Sequence, residues 1–444
     1  MRCMPPDYTE AREGRVLFVW GGIPFWIVVD RAAAKFIQQL CDGASTASAL
    51  EAAAGGDVGF HAQRDAAAIL SRLKRAGVLG GRPRRPPRER IESITVNVTN
   101  RCNLNCRFCY NAGREFVANE LSADEMIRGL ESVRRWIVPG AMLALFGGEP
   151  LLEKDKTLAL ARWGRRRSLS PIISTNGLLV DDEFAAAAAE TGLECQVSID
   201  GAQASTHDAI RGPGSFDRAV EAARRLVRAG AHTLISMVFH SDNVSEIPDF
   251  LRMARHLGAQ EARFVPLKSI GGGCGYRAVE PVHVIRMVQR LVDKEPELLP
   301  LLGRDHVSIL AQTCQSCSPR QTCGTGSQTF LLDADGTIYP CVNLVYPELA
   351  LGNIKMEQLR SIWARSSRTD GVREQVRLSA RIDSCGKCVV RHWCVGGCRG
   401  ETYHNTGTLN GPSVTCRENR AAILEMFWAL TSHPQLRRQG QKYC

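Results

Sequence analysis

The sequence is poor in the features that would place it in a membrane, outside the cell or on nucleic acid. Its 444 residues contain no apolar run long enough to span a bilayer. Its opening stretch, "MRCMPPDYTEAREGRV", lacks the apolar core of a secretory signal. The expectation is a soluble cytoplasmic protein without a membrane association. No internal repeat of solenoid length is present. The net charge of +10 hints at an acidic partner, but the basic residues are spread out and much of the excess suits a solvated surface. "RPRRPPRER" (Arg82–Arg90) is their densest run. No helix candidate in the front part is especially rich in Arg and Lys, which makes nucleic acid an unlikely partner. An apolar content of 44% supports real cores, and the length suits two or three domains. What the chain has in plenty is cysteine, 17 in all. In a large chain without an export signal, where thiols stay reduced, clustered cysteines are more often metal ligands than disulfides.

Three textures follow one another. In residues 10–80, "RVLFVW" and "PFWIVVD" read as two strands around Gly21–Gly22. Helices follow at "AAAKFIQQL", "TASALEAAAG" and "AQRDAAAILSRLKRAGVL". This is the layout of a small winged-helix-like α+β module. Residues 81–91, rich in Pro and Arg, read as a linker. Over residues 92–275 strands and helices alternate, the signature of a parallel sheet or barrel. The strand candidates are "SITVNVT", "MLALFGG", "PIISTNG", "CQVSIDG", "TLISMVF" and "EARFVPL". Functional residues then belong at the C-terminal ends of the strands. A bridging helical segment occupies 276–310. From 311 to 428 cysteines, glycines and turns become dense, as in a region held by metal as much as by a core.

Directly after the first barrel strand stands "TNRCNLNCRFCY", with Cys102, Cys106 and Cys109 spaced C-x3-C-x2-C. A structural zinc site wants four protein ligands. Three thiolates on a tight loop suit a 4Fe–4S cluster with one iron left for another ligand, although a zinc knuckle with a remote fourth ligand has the same local pattern. Further pieces follow in order at successive strand ends: "FGGEPLL" (Phe146–Leu152), "STNG" (Ser174–Gly177), "SIDG" (Ser198–Gly201) and "HDAIRG", which contains Arg211. Together they resemble the radical S-adenosylmethionine (SAM) superfamily. That resemblance implies a partial (β/α)6 barrel in which the open iron chelates the methionine end of SAM and reduction yields a 5'-deoxyadenosyl radical. By the same resemblance Gly147, Gly148 and Glu149 meet the methionine amino group. Ser174, Asn176 and Ser198 contact the ribose or carboxylate, Arg211 pairs with the carboxylate, and Phe108 forms a wall against the adenine.

The C-terminal section reads Cys317-x5-Cys323-x17-Cys341, then Cys385-x2-Cys388-x5-Cys394-x3-Cys398-x17-Cys416, with Gly336 five residues before Cys341. Eight thiols suffice for two fully ligated cubane clusters, or for two zinc sites. The pattern closely resembles the SPASM extension of radical SAM enzymes. That resemblance implies interleaved ligands, with Cys317, Cys323, Cys341 and Cys398 on one auxiliary cluster and Cys385, Cys388, Cys394 and Cys416 on the other. Their role would be electron transfer or structural support, and the cofactors would be SAM and three 4Fe–4S clusters. Six cysteines remain. Cys41 and Cys195 read as buried small hydrophobes. Cys3 and Cys444 sit at the ends, and Cys274 and Cys314 either stand by as ligands, face the substrate or do neither. Asp333 and Asp335 lie near the Cys341 loop, but turn chemistry explains "DADG" equally well, and no general base is identified.

"VVDRAAAKFIQQLCDGASTASAL" resembles the small peptide-recognition module whose simplest relative is the pyrroloquinoline quinone peptide chaperone. In that family a leader peptide adds as a strand to the sheet edge. The combined resemblance implies a peptide maturase that acts on a ribosomally made precursor, forms a thioether or carbon–carbon cross-link, and draws electrons from a donor such as flavodoxin or ferredoxin. The alternatives are modification of a tetrapyrrole or other small molecule in haem-type biosynthesis, and a non-catalytic iron–sulfur or zinc-binding transcription factor.

Overall fold

A computed structural model describes residues 3–54, 62–80, 90–112, 119–302, 320, 322–377 and 382–432. The expected linker 81–91 lies almost wholly outside these residues, as do Cys314, Cys317 and Cys444. Among the described residues, no helix is long and apolar enough to cross a membrane.

The chain opens with three antiparallel strands, β1 (Tyr8–Arg12), β2 (Arg15–Trp20) and β3 (Phe25–Asp30), in the order β1-β2-β3. Sequence patterning identifies β2 and β3. β1 is an addition, an edge strand whose residues alternate between half-buried and exposed and carry little apolar signal. Asp30 ends β3 and starts the next helix, Arg31–Cys41, by accepting a hydrogen bond from the Ala33 amide at 2.8 Å. The helices Thr46–Ala54 and Ala62–Ala76 follow. Phe18, Trp20, Ile27, Phe36, Ile37 and Leu73 fill a core belonging to this module alone.

Six parallel strands come next: β4 (Ile91–Thr99), β5 (Ile137–Gly147), β6 (Ser170–Thr175), β7 (Glu194–Ser198), β8 (Thr233–Phe239) and β9 (Glu261–Pro266). They pair in chain order, with helices between them. Buried Val96, Leu145, Ile173, Val197, Ile235 and Phe264 belong to the large core. β9 forms one edge of the sheet, so the barrel is partial. At the other edge the sheet continues past the barrel. β10 (Thr329–Leu332) pairs parallel to β4, and β11 (Thr337–Tyr339) and β12 (Gly352–Asn353) follow antiparallel, giving nine strands among the described residues. The "DADG" turn joins β10 to β11. Asp333 accepts from Asn97 Nδ2 of β4 at 2.8 Å, and Asp335 accepts from the Thr337 amide at 2.8 Å. Asp335 thus holds the turn, while Asp333 ties it to β4.

The cysteine-rich region is otherwise built from short helices, including Asp383–Gly386, Arg391–Cys394 and Arg399–Thr406, and one long helix, Cys416–Ser432. The long helix reaches the front module. Trp26 stacks on Phe427 at 4.6 Å, Trp428 Nε1 donates to Glu10 at 3.1 Å, and Glu425 accepts from Arg12 at 2.9 Å and from Arg286 at 2.8 Å. The β2–β3 turn also rests on the cysteine-rich region. A Cβ on Gly21 would lie only 2.8 Å from Val389 Cα, so only glycine allows this approach.

Candidate functional site

The first cysteine loop leaves the C-terminal end of β4. Its base is pinned by Glu120, which accepts from Thr99 Oγ1 at 2.9 Å and from the Asn100 amide at 2.7 Å. Its far end is held by backbone bonds: the Arg107 amide donates to Ile210 O at 3.0 Å, and the Gly272 amide donates to Cys109 O at 3.0 Å. Cys102 is exposed, and Cys106 and Cys109 are half-buried. Burial pushes the Cys106 thiol up to about 11; Arg211 opposes this, and Asp200, Cys109 and Cys102 add to it. Burial also raises Cys102, with Glu149 and Cys109 adding. The three thiols therefore sense one another. Ligation by a metal centre would take their protons.

The β5 end lies directly against this loop. The Gly148 amide donates to Thr99 O at 2.9 Å, and the Glu149 amide donates to Arg101 O at 2.8 Å. A Cβ on Gly147 would meet Thr99 O at 2.1 Å, and one on Gly148 would meet Arg101 O at 2.1 Å. Gly147 also has a φ of +134°, a region that favours glycine. The close approach these glycines permit is thus to the cysteine loop itself. Glu149 is buried, and its carboxylate ties β5 to β6. It accepts from Thr175 Oγ1 at 2.7 Å, from the Asn176 amide at 2.8 Å and from the Leu151 amide at 3.0 Å. Burial raises its pKa, and those donors work against the rise. Asn176 Nδ2 donates to Asn103 Oδ1 in the cysteine loop at 2.8 Å. Ser174, on β6, accepts from Gln196 Nε2 at 3.2 Å, and Ser198 ends β7.

Arg211 ends the helix Ala204–Arg211 and forms a salt bridge with Asp200, a fully buried side chain just past β7. Burial works against the Arg211 cation, but Asp200, Cys106 and Cys109 outweigh it and hold its pKa above the ordinary value. Asp200 also accepts from the Val238 amide at 2.8 Å. The sequence identifies Arg211 but not its partner, because an Asp between a strand and Gly looks like a turn residue. Beside them His207 is fully buried, accepts from the Asp200 amide at 3.0 Å, and has a pKa lowered by burial to about 4. Phe108 packs with Ile210 and Leu267 in a small apolar cluster behind the loop, edge-on to His240 at 6.0 Å and to Tyr276 at 5.9 Å.

The second field divides into two groups. Cys385, Cys388, Cys394 and Cys416 all line one cavity. Burial pushes Cys394 up to about 12, and Cys388, Cys416 and Cys385 add to the rise. Cys323, Cys341 and Cys398 form the other group: burial raises Cys341 to about 12, with Cys398 and Cys323 adding. Cys317, the fourth member expected there, lies outside the described residues. Among the described residues, no three Cys, His, Asp or Glu side chains converge closely enough to hold a single metal ion. Cys385, Cys388, Cys394 and Cys416 share a cavity instead, and four thiolates are the ligand number of a fully ligated cubane cluster. Arg399, buried between the groups, interacts with Cys323, Cys398, Cys385 and Cys394. Sequence reasoning missed it, since nothing marks one arginine after a cysteine as buried. Cys195 is fully buried, as expected. Cys41 is half-buried, with its sulfur 2.9 Å from that of Cys3.

Residues 96–254 match the radical SAM superfamily, and residues 323–389 match SPASM, the iron–sulfur cluster-binding domain. Mycofactocin maturase MftC of Mycobacterium tuberculosis is 30% identical over 329 residues, 73% of this chain and 82% of the relative. The AdoMet-dependent heme synthase of Methanosarcina barkeri is 29% identical over 333 residues, 71% of this chain and 93% of the relative. Among solved structures, Streptococcus suis SuiB bound to precursor peptide SuiA aligns with a TM-score of 0.59 at 15% identity, over 94% of this chain and 100% of SuiB. The chain belongs to the radical SAM superfamily, in the branch that carries a SPASM domain. It is an enzyme whose cofactors are SAM and iron–sulfur clusters.

Proposed function

We propose that this enzyme matures a ribosomally made precursor peptide in the cytoplasm, closing a thioether or carbon–carbon cross-link. Cys102, Cys106 and Cys109 would hold a 4Fe–4S cluster. Two further clusters would sit on Cys317, Cys323, Cys341 and Cys398, and on Cys385, Cys388, Cys394 and Cys416. The mutual influence of the thiols within each described group, and the cavity lined by the second set, support that division. When bound, the first cluster and SAM together supply a 5'-deoxyadenosyl radical, with an electron from a flavodoxin- or ferredoxin-type donor. Gly147, Gly148 and Glu149 would position the methionine amino group, and Arg211, steadied by Asp200, the carboxylate. Ser174, Asn176 and Ser198 would line the ribose side, with Phe108 backing the adenine end.

The observation that carries the peptide reading is the front module, residues 10–80. Its three-stranded sheet is docked on the cluster region through Trp26–Phe427 and Gly21–Val389. An exposed sheet edge takes an extended leader by strand addition. The fold likeness to SuiB over 94% of this chain supports this reading. A second reading, modification of a tetrapyrrole, is favoured by the likeness to the heme synthase. The test is the mass of a candidate precursor peptide after anaerobic incubation with enzyme, reductant and SAM. The expected result is loss of two hydrogen masses, dependent on Cys102. An unchanged peptide mass with deoxyadenosine still formed would bring the tetrapyrrole reading forward.

A further inference from the structure

The loop after β9 is where the barrel meets the cysteine-rich region. On one side it abuts the first cysteine loop: the Gly272 amide donates to Cys109 O at 3.0 Å, and Tyr276 lies edge-on to Phe108 at 5.9 Å. On the other side Cys274 Sγ lies 3.3 Å from His404 Nε2, on the helix Arg399–Thr406. His404 Nδ1 lies 2.9 Å from the Tyr346 hydroxyl. A phenol on one ring nitrogen fixes which nitrogen faces the thiol. Cys274 and His404 are both exposed, at the end of the strands where barrel chemistry takes place. One turn before His404, Glu401 is only 4% exposed. Its Oε1 accepts from the Ser269 amide of the same loop at 3.4 Å, and its Oε2 has no partner. A buried carboxylate oxygen without a donor beside this loop points to a polar ligand group. The other titratable groups nearby are Glu348 and Tyr403, which donates to it at 2.8 Å, and Lys268 at the start of the loop.

We propose that Cys274 and His404 form the proton-accepting pair of the cross-linking step. The proposal rests on the peptide-maturation reading. A cross-link that loses two hydrogens breaks one C–H bond and one bond from hydrogen to the partner atom, and forms one bond between the two atoms. One hydrogen atom leaves the carbon for the deoxyadenosyl radical. The other hydrogen leaves as a proton, and the remaining electron passes to an oxidised iron–sulfur cluster. The Cys274 thiol hands its proton to His404 Nε2 and takes the one the peptide releases, while Tyr346 holds Nδ1. His404 thus supplies the base that the sequence alone does not identify.

The test uses the reconstituted full-length enzyme with SAM, reductant and a precursor peptide, and compares wild type with His404→Ala and Cys274→Ala. Both variants should still form deoxyadenosine, while cross-linked peptide falls about a hundredfold, the range of a lost general base. Added imidazole should restore cross-linking to His404→Ala and not to Cys274→Ala. A second readout does not depend on turnover: at neutral pH, iodoacetamide should label Cys274 several-fold faster in wild type than in His404→Ala. Wild-type cross-linking by His404→Ala, or no response to imidazole with equal labelling rates, overturns the pair. A wild-type enzyme that forms deoxyadenosine but leaves every peptide mass unchanged removes the peptide reading instead, and the proposal falls with it.

Discussion

The cysteine loop after β4 and the C-terminal cysteine field around β10–β12 hang on the same sheet, yet they are held differently. The first is set by backbone: amides of Gly148 and Glu149 donate to carbonyls at its base, Gly272 secures its far end, and Cys102 remains exposed. The second is less uniform: Cys416 is exposed and Cys341, Cys385 and Cys388 are half-buried. Cys323, Cys394 and Cys398 are buried, and the helices around them are short. A centre that must take in and release a cofactor needs a rigid rim and an open face. A centre that only stores or passes electrons can be enclosed, and the surrounding chain then depends on it for order.

Removing iron should separate the two regions most strongly. Chelation should abolish hydrogen-exchange protection in residues 382–416 while β4–β9 keep theirs; uniform loss of protection would erase the distinction. Asp200→Asn should come next. It leaves the Arg211 cation buried without its anion, a loss of about 3–5 kcal/mol by denaturant unfolding, and it should weaken SAM binding measured by calorimetry. The buried rim also sets a pH dependence. The folded pKa of His207 is depressed to about 4 from an ordinary 6.5. Its contribution to stability is therefore fully present above pH 6.5 and is lost as the pH falls toward 4, to a total of about 3 kcal/mol. Unfolding midpoints across that window should show a drop that His207→Gln reduces. The smallest effect is expected for Gly148→Ala, whose new Cβ must push Arg101 O away. It should cost about 1–3 kcal/mol and slow deoxyadenosine formation, with the C-terminal clusters still loaded.

The barrel was legible because strand and helix patterns alternate from residue 92, and all six strand candidates are strands. The pieces quoted from β5, β6 and β7 also come together around the first cysteine loop. What could not be read is non-local. β10–β12 are two to four residues long, and the pairing of β10 with β4 spans more than 200 residues of sequence. β1 hides its place behind a nearly polar sequence. Asp200 reads as a turn residue until its fully buried contact with Arg211 is seen. Cys274 and His404, 130 residues apart, have no local pattern that pairs them. Periodicity reports what a segment buries, whereas partnership between loops depends on the assembled sheet.

The most direct test of the contrast is the iron content and deoxyadenosine yield of Cys102→Ala beside the wild type, both reconstituted without oxygen. Wild type should hold about 12 irons per chain, four in each of three clusters. The variant should hold about eight irons and form no deoxyadenosine. A variant that still forms deoxyadenosine, or a wild type holding only about four irons, would contradict the division into one SAM-binding centre and two auxiliary ones.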